Sequence, residues 1–310
     1  ASNHNFEGYM DDVAMWNTAL TSNQVTELYN SGTALDATTH SKSGNLLSYH
    51  RNDGVTTWQD RRGWSYLDFD GNNDTFNVDI KNDNSPVTIA DQNAEKLILN
   101  DLNNKFPNIP VISEEAYSNG IIPNFSDEFF LVDPLDGTKE FIKKNGEFTV
   151  NIGFIKNGYT RLGVIYAPAK KIIYFCDEEN NAFELKIKDN FSDTFSLNNA
   201  KKINVNSSKK IALRAITSRS HNNSKTNDFL KNYDIKETLL AGSSYKFCLI
   251  ASGKADIYPR LSPTCEWDIA AGHAILKAAG GNVYHLDGKE LKYGRKKEKF
   301  INPHFFAINY

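Results

Sequence analysis

The sequence predicts a layered α/β protein preceded by a β-rich segment, and three observations carry that prediction. From residue 80 onward, apolar strand-like runs alternate with stretches of helical periodicity. Charge usage changes near Asp79-Ile80: residues 1–79 hold 4 Lys+Arg against 11 Asp+Glu, whereas residues 80–310 hold 31 against 27. Two acids, Asp133 and Asp136, bracket a proline-containing turn at the end of an apolar run. We therefore divide the chain into a fragment over residues 1–79 and a domain over residues 80–310.

The N-terminal fragment reads as strand followed by a short helix. Met10, Val13 and Met15 suit a strand, and Thr21 with Gln24 fits a capping box in which hydroxyl and amide satisfy free backbone N–H groups. Val25, Leu28 and Tyr29 then share a helix face, and Gly32 supplies its stop. Residues 6–32 resemble the closing segment of laminin-G/concanavalin-like jelly rolls, and residues 66–74 resemble that family's opening strand. A jelly roll needs more strands than this fragment offers, so we expect an incomplete module rather than a working sugar-binding domain.

In the larger domain, Phe129–Asp133 is a buried strand ending in an acid. Phe148–Ile155, Leu162–Tyr166, Ile172–Phe175 and Phe183–Ile187 read as successive strands of an antiparallel sheet. After a strand at Ile211–Ile216, helices at Ser243–Ala251 and Asp268–Ala279 alternate with strands at Ala255–Tyr258 and Asn282–His285, which predicts a second, smaller sheet.

Composition excludes several functions. Hydrophobic residues make up 40% of 310, enough for a sizeable core, yet no run approaches the roughly 20 apolar residues of a transmembrane helix. The opening residues have neither a basic start nor an apolar stretch, so no secretory signal is expected. Cys176, Cys248 and Cys265 lack metal-type spacing and read as free thiols in a reducing compartment. The lysine pairs at 143–144, 170–171 and 201–202 lack interleaved aromatics, which argues against a nucleic-acid polymer as partner.

The chemistry concentrates in Asp133-Pro-Leu-Asp136-Gly137-Thr138. Two carboxylates converge at a strand end, Gly137 lets backbone approach a ligand, and Thr138 opens a helical stretch to Lys144 whose free N–H groups suit a phosphate. Hard carboxylate oxygens beside a phosphate site point to Mg²⁺. An Asp-x-x-Asp pair taken alone would equally fit a capped turn with solvated acids.

This hexapeptide matches the signature of the inositol-monophosphatase superfamily. The continuation to Ile152 resembles the superfamily's 3′(2′),5′-bisphosphate nucleotidase branch, as do the blocks at 85–91, 110–115, 218–221, 242–248 and 266–273. The resemblance runs from about residue 82 to the C-terminus. It implies a layered α-β-α-β-α sugar-phosphatase fold and Mg²⁺-dependent hydrolysis of a small phosphorylated nucleotide, adenosine 3′,5′-bisphosphate. An inositol-phosphatase activity, or a non-catalytic carbohydrate-binding or structural fusion, is the alternative. Cytoplasmic location is implied, with a peripheral seat at the inner membrane face as a variant.

Residue by residue, the resemblance assigns a first metal to Glu114, Asp133 and the carbonyl of Leu135. It assigns a second to Asp133, Asp136 and Asp268, an arrangement that implies lithium sensitivity. Asp91 would orient Thr138 toward the attacking water, with Glu114 beside them. Leu135, Asp136, Gly137, Thr138 and Asp268 would also contact the substrate, together with His221, Ser243, Lys246 and Arg260. Simpler roles compete at some positions: Asp91 could cap its helix, Asp268 could answer a helix dipole, and His221 could cap a loop. Glu115 reads as a solvated neighbour and His273 as a packed core histidine. Ahead of Ser85, the family's usual long helix and short strand are replaced by the lectin-like fragment, which would leave apolar sheet surface to cover.

Overall fold

The structure, a computed structural model, describes residues 12–16, 21–24, 46–51, 57–60, 66–68, 78–80, 86–187, 197–206, 212–220 and 223–310. The chain divides into two compact units, residues 1–75 and residues 76–310. In the first, β1 (Asp12–Trp16), β2 (Leu46–Arg51), β3 (Thr57–Asp60) and β4 (Tyr66–Asp68) form an antiparallel sheet in that order. The expected capping box is formed: Gln24 Oε1 accepts from the Thr21 N–H at 2.9 Å, and Thr21 Oγ1 accepts from the Gln24 N–H at 3.4 Å. Val25, Leu28, Tyr29 and Gly32 lie outside the described residues.

The second unit starts before the change in charge usage. β5 (Val78–Ile80) forms a hairpin with β6 (Pro86–Thr88), so a division between Asp79 and Ile80 would cut a strand from its partner. Then come α1 (Ile89–Lys105), β7 (Val111–Ser113), α2 (Glu114–Ser118), β8 (Glu128–Asp136) and α3 (Thr138–Ile142). A meander follows, of β9 (Thr149–Lys156), β10 (Tyr159–Ala167), β11 (Ile172–Cys176), β12 (Ala182–Lys186) and β13 (Lys201–Ile203). With β7 and β8 these make a seven-stranded sheet, antiparallel except where β7 runs parallel to β8.

The remaining elements are β14 (Leu213–Ser218), α4 (Ser224–Leu230), β15 (Ile235–Ala241), α5 (Tyr245–Ala251), β16 (Ile257–Arg260), α6 (Glu266–Ala278), β17 (Asn282–His285) and β18 (Phe305–Ile308). They build a five-stranded sheet in the order β15-β14-β16-β18-β17. Three elements here carry no clear period in the sequence. β15 is an edge strand whose Lys236, Glu237 and Thr238 are exposed, so no apolar alternation marks it; α4 and β18 are short.

The core lies where α6 crosses the large sheet. Gly153 on β9 is paired with Gly163 on β10, and a Cβ on either would come within 3.0 Å of Ala270 or Ala271. The helix therefore sits directly on the strands, with Ile155, Ile165, Trp267, Ile275 and Leu276 buried around the contact. Each such side chain contributes about 1.5–3 kcal/mol of transfer free energy on burial. Two predicted helices are shorter than periodicity suggests. α3 ends at Ile142 because Lys144 takes a left-handed φ of 53°, and α5 starts at Tyr245 because Ser243 has φ 47°.

Candidate active site

A cleft of about 500 Å³ in the second unit collects most of the predicted site. Glu114, Leu135, Asp136, Gly137, Ser243 and Arg260 line it, and so do Asp133, Thr138, Lys246 and Asp268. His221 lies outside the described residues.

Local strand geometry aims the two hexapeptide acids together. Along β8, Asp133 pairs with Asn151 and Asp136 with Thr149, so three steps on one strand oppose two on the other. In a regular strand, residues three apart point to opposite faces. The extra residue reverses that, and both carboxylates emerge on the side shared by Thr149 and Asn151. Pro134 sits in the bulge, where its missing N–H costs no ladder bond.

Glu114 arrives from the other side of β8. β7 runs parallel to β8 and delivers Glu114 as the first residue of α2. Glu95 of α1 fixes that start, its Oε1 accepting from the N–H groups of Glu115 at 3.1 Å and Ala116 at 3.0 Å. Glu115 is not solvated as expected: it is 4% exposed, because the short helix turns it inward. Asp268 comes from the first turn of α6, where its Oδ2 also accepts from the Cys265 N–H at 2.9 Å. Capping and presentation to the cleft are thus the same geometry.

Carboxylate oxygens of Glu114, Asp133 and Asp268 lie within 4.8 Å of one another. Burial, reinforced by the Glu114, Asp136 and Asp268 charges, pushes the Asp133 carboxyl well above its ordinary range. Asp268 is raised in the same way by burial and by Asp136 and Glu114. Asp136 is raised to about 6 by burial, against the pull of Lys246 and its hydrogen bonds to Ser244 and Asn151. Such crowding is unfavourable without a compensating cation, and an all-oxygen donor set suits Mg²⁺. The residues present therefore fit the ion that the family resemblance implies.

Asp136 sits a little apart from the tight trio, within a polar network that sequence reasoning missed. Its Oδ2 accepts from the Ser244 N–H and from Asn151 Nδ2 at 3.3 Å, while Ser244 Oγ bonds Asn151 Oδ1 at 2.7 Å and Thr149 Oγ1 at 2.8 Å. The available signal was two polar residues, Thr149 and Asn151, on the buried face of an apolar strand; both are 0% exposed.

Thr138 and Asp91 meet as expected. The Thr138 hydroxyl donates to Asp91 Oδ1 at 3.2 Å and approaches the Leu135 carbonyl at 3.3 Å. Asp91 also closes the capping box of α1, so one carboxylate both caps that helix and meets the Thr138 hydroxyl. In the same cleft, Lys246 and Arg260 are buried at 4% and 8% exposure. Lys246 Nζ donates to the Ser243 carbonyl at 2.5 Å and lies 5.1 Å over the Tyr258 ring. Burial lowers its pKa to about 8 despite the Asp136 charge. Arg260 Nη2 donates to the Pro263 carbonyl at 3.2 Å, while its Nε is buried with no hydrogen-bond partner.

A cleft between two sheets that brings a cluster of carboxylates together with two buried cations defines a phosphate-handling α/β protein. The chain belongs to the inositol monophosphatase family, whose profile matches residues 63–304. It is 43% identical over 230 residues to the 3′(2′),5′-bisphosphate nucleotidase CysQ of Salmonella typhimurium, covering 74% of this chain and 88% of that one. It is 44% identical over 233 residues to the protein of the same name from Buchnera aphidicola, covering 75% and 83%. Among solved structures, CysQ from Bacteroides thetaiotaomicron superposes with a TM-score of 0.62 at 40% identity, covering 74% of this chain and 86% of that one.

Proposed function

We propose that the protein is a Mg²⁺-dependent 3′(2′),5′-bisphosphate nucleotidase that hydrolyses adenosine 3′,5′-bisphosphate to adenosine 5′-monophosphate and phosphate. One observation carries the substrate choice. The cleft that holds Glu114, Asp133 and Asp268 also holds two buried cations, and Arg260 keeps a buried donor unpaired. Native proteins rarely leave such a donor unmet, and a second phosphate meets it bidentately. A lone inositol phosphate would not call on these groups.

Glu114, Asp133, Asp136, Asp268 and the Leu135 carbonyl would hold the metal, which when bound supplies positive charge to the phosphoryl oxygens and the attacking water. The chain's own groups do the rest. The Thr138 hydroxyl donates its hydrogen bond to Asp91, which leaves its oxygen free to accept from the water and orient it. The N–H groups of Gly137 and Thr138 face the phosphoryl oxygens, where preorganised donors stabilise charge without rearrangement. Ser243, Lys246 and Arg260 seat the nucleotide's other phosphate, with His221 at the base. The water oxygen forms the new O–P bond as the P–O3′ bond breaks; the water's proton passes by way of the Thr138 hydroxyl to Asp91, and the departing ribose oxygen takes a proton from solvent water.

This reading places the enzyme in the cytoplasm, in keeping with three cysteines that form no disulfide. Among the described residues, no helix is long and apolar enough to cross a membrane. The test is steady-state phosphate release from adenosine 3′,5′-bisphosphate and from inositol 1-phosphate, with and without Mg²⁺. Preference for the bisphosphate and loss in chelator are expected; equal or reversed preference would move the enzyme to the inositol phosphatases.

A further inference from the structure

Within the 76–310 unit, two walls face each other across the cleft. One comes from the large sheet and carries Asp133, Asp136 and Gly137. The other comes from the small sheet and carries the turn Gly242–Ser244 that leads into α5 and Lys246. Glu147, just before β9, reaches from the first wall to the second. Its Oε2 accepts from Arg219 Nε at 2.9 Å and from the Gly242 N–H at 2.8 Å, and its Oε1 accepts from Arg219 Nη2 at 2.9 Å.

Arg219 in turn is tied to the end of β15. Its N–H donates to the Ala241 carbonyl at 3.2 Å and its Nη2 to the Leu240 carbonyl at 3.0 Å. The walls also touch through backbone. A Cβ at Gly242 would stand 2.7 Å from Glu140 Cγ and 2.8 Å from the Glu147 carbonyl oxygen, so only glycine allows this approach. Ser243 then takes its left-handed φ, and Ser244 turns its N–H onto Asp136. Neither Glu147 nor Arg219 lines the cleft. Both act through the turn that they hold.

From this arrangement we infer that Glu147 and Arg219 are specificity-determining positioning residues: their bidentate pair holds the turn whose Ser244 docks on Asp136, Asn151 and Thr149, and so fixes the setting of Lys246 against the carboxylate cluster that selects substrates carrying two phosphates. The inference rests on the substrate reading above. A nucleotide with phosphates at both ends must match the distance between the walls. A monophosphate engages one wall and is indifferent to that distance. A guanidinium fork held by one carboxylate at two points, with a charge-assisted N–H bond beside it, is a far stiffer tie than an ordinary surface ion pair.

The test compares Glu147→Gln and Arg219→Lys with the unaltered full chain on adenosine 3′,5′-bisphosphate and adenosine 3′-monophosphate. These share the scissile bond and differ only in the remote phosphate. For the bisphosphate, kcat/KM should fall by about 10- to 100-fold, mainly in KM, whereas the monophosphate should change by less than about threefold. Without metal, calorimetry should show adenosine 5′-monophosphate binding weakened to a similar degree. Arg219→Lys keeps the charge but loses the fork, so it decides the matter if Glu147→Gln does not fold. Equal losses on both substrates, or no change on either at an unchanged melting temperature, would overturn the inference. Failure of the unaltered enzyme to prefer the bisphosphate would instead refute the substrate reading.

Discussion

The Thr138 hydroxyl reaches Asp91 Oδ1 at 3.2 Å, while Asp91 Oδ2 accepts from the Thr88 N–H at 2.7 Å and the Thr88 hydroxyl at 2.6 Å. One carboxylate thus starts a helix and points a hydroxyl into the cleft. Thr138→Ala should lower kcat by about 10²-fold or more and leave the melting temperature nearly unchanged. Asp91→Asn should lower both, since the cap is worth about 0.5–2 kcal/mol. Phosphate release and thermal unfolding of the two variants separate the roles.

Asp133 is central to the crowded acids, so Asp133→Asn should abolish turnover. The same change should raise the melting temperature in chelator, because it removes a buried charge repelled by Glu114, Asp136 and Asp268. Mg²⁺ at about 100 times its dissociation constant should stabilise the unaltered protein by roughly 2.7 kcal/mol and the variant far less. Glu115→Gln alters a buried neighbour, so it should show in stability more than in turnover. A severe kcat loss there beside a tolerated Glu114→Gln would reverse the assignment of the pair.

Lithium offers a direct probe of the ligand set. Li⁺ should inhibit phosphate release at saturating substrate, and excess Mg²⁺ should slow it too. An LiCl titration against matched NaCl is the measurement. Coincident curves would mean that Asp133, Asp136 and Asp268 do not form the second metal site.

His273 gives a pH prediction away from the site. It is fully buried, between the Tyr293 hydroxyl at 2.8 Å and Asn282 Oδ1 at 2.8 Å, with Glu290 at 3.9 Å and Lys277 nearby. Burial lowers its pKa to about 4 from 6.5, so the folded state keeps it neutral while the unfolded chain takes up a proton. Its stability contribution is complete above pH 6.5 and is lost as pH falls toward 4, by roughly 3 kcal/mol at 1.36 kcal/mol per pKa unit. Urea midpoints between pH 7 and pH 4 should fall steeply for the unaltered protein and less steeply for His273→Gln. Equal slopes would show that other groups carry the acid sensitivity.

By itself, the sequence determined the chemistry of this protein. The hexapeptide at Asp133 was legible from its own residues, because paired acids at the end of an apolar run stand out against the solvated default; Glu114, Asp268, the Asp91–Thr138 pair, Lys246 and Arg260 were reached through the family resemblance. The antiparallel meander from Thr149 to Lys186 was legible too, since strand alternation is a local property.

Tertiary structure alone decided what depends on register and close approach. The bulge that turns Asp136 to the side of Asp133 is a relation between β8 and β9, and no residue within β8 announces it. Glu115 became a buried residue only once Glu95, twenty positions earlier, capped its helix. The grip of Glu147 on Arg219 and Gly242 joins residues 72 and 95 positions apart. Pattern along a chain reports which face a residue prefers; the partner across a cleft is chosen by packing, which the seam of α6 on Gly153 and Gly163 sets for the whole site.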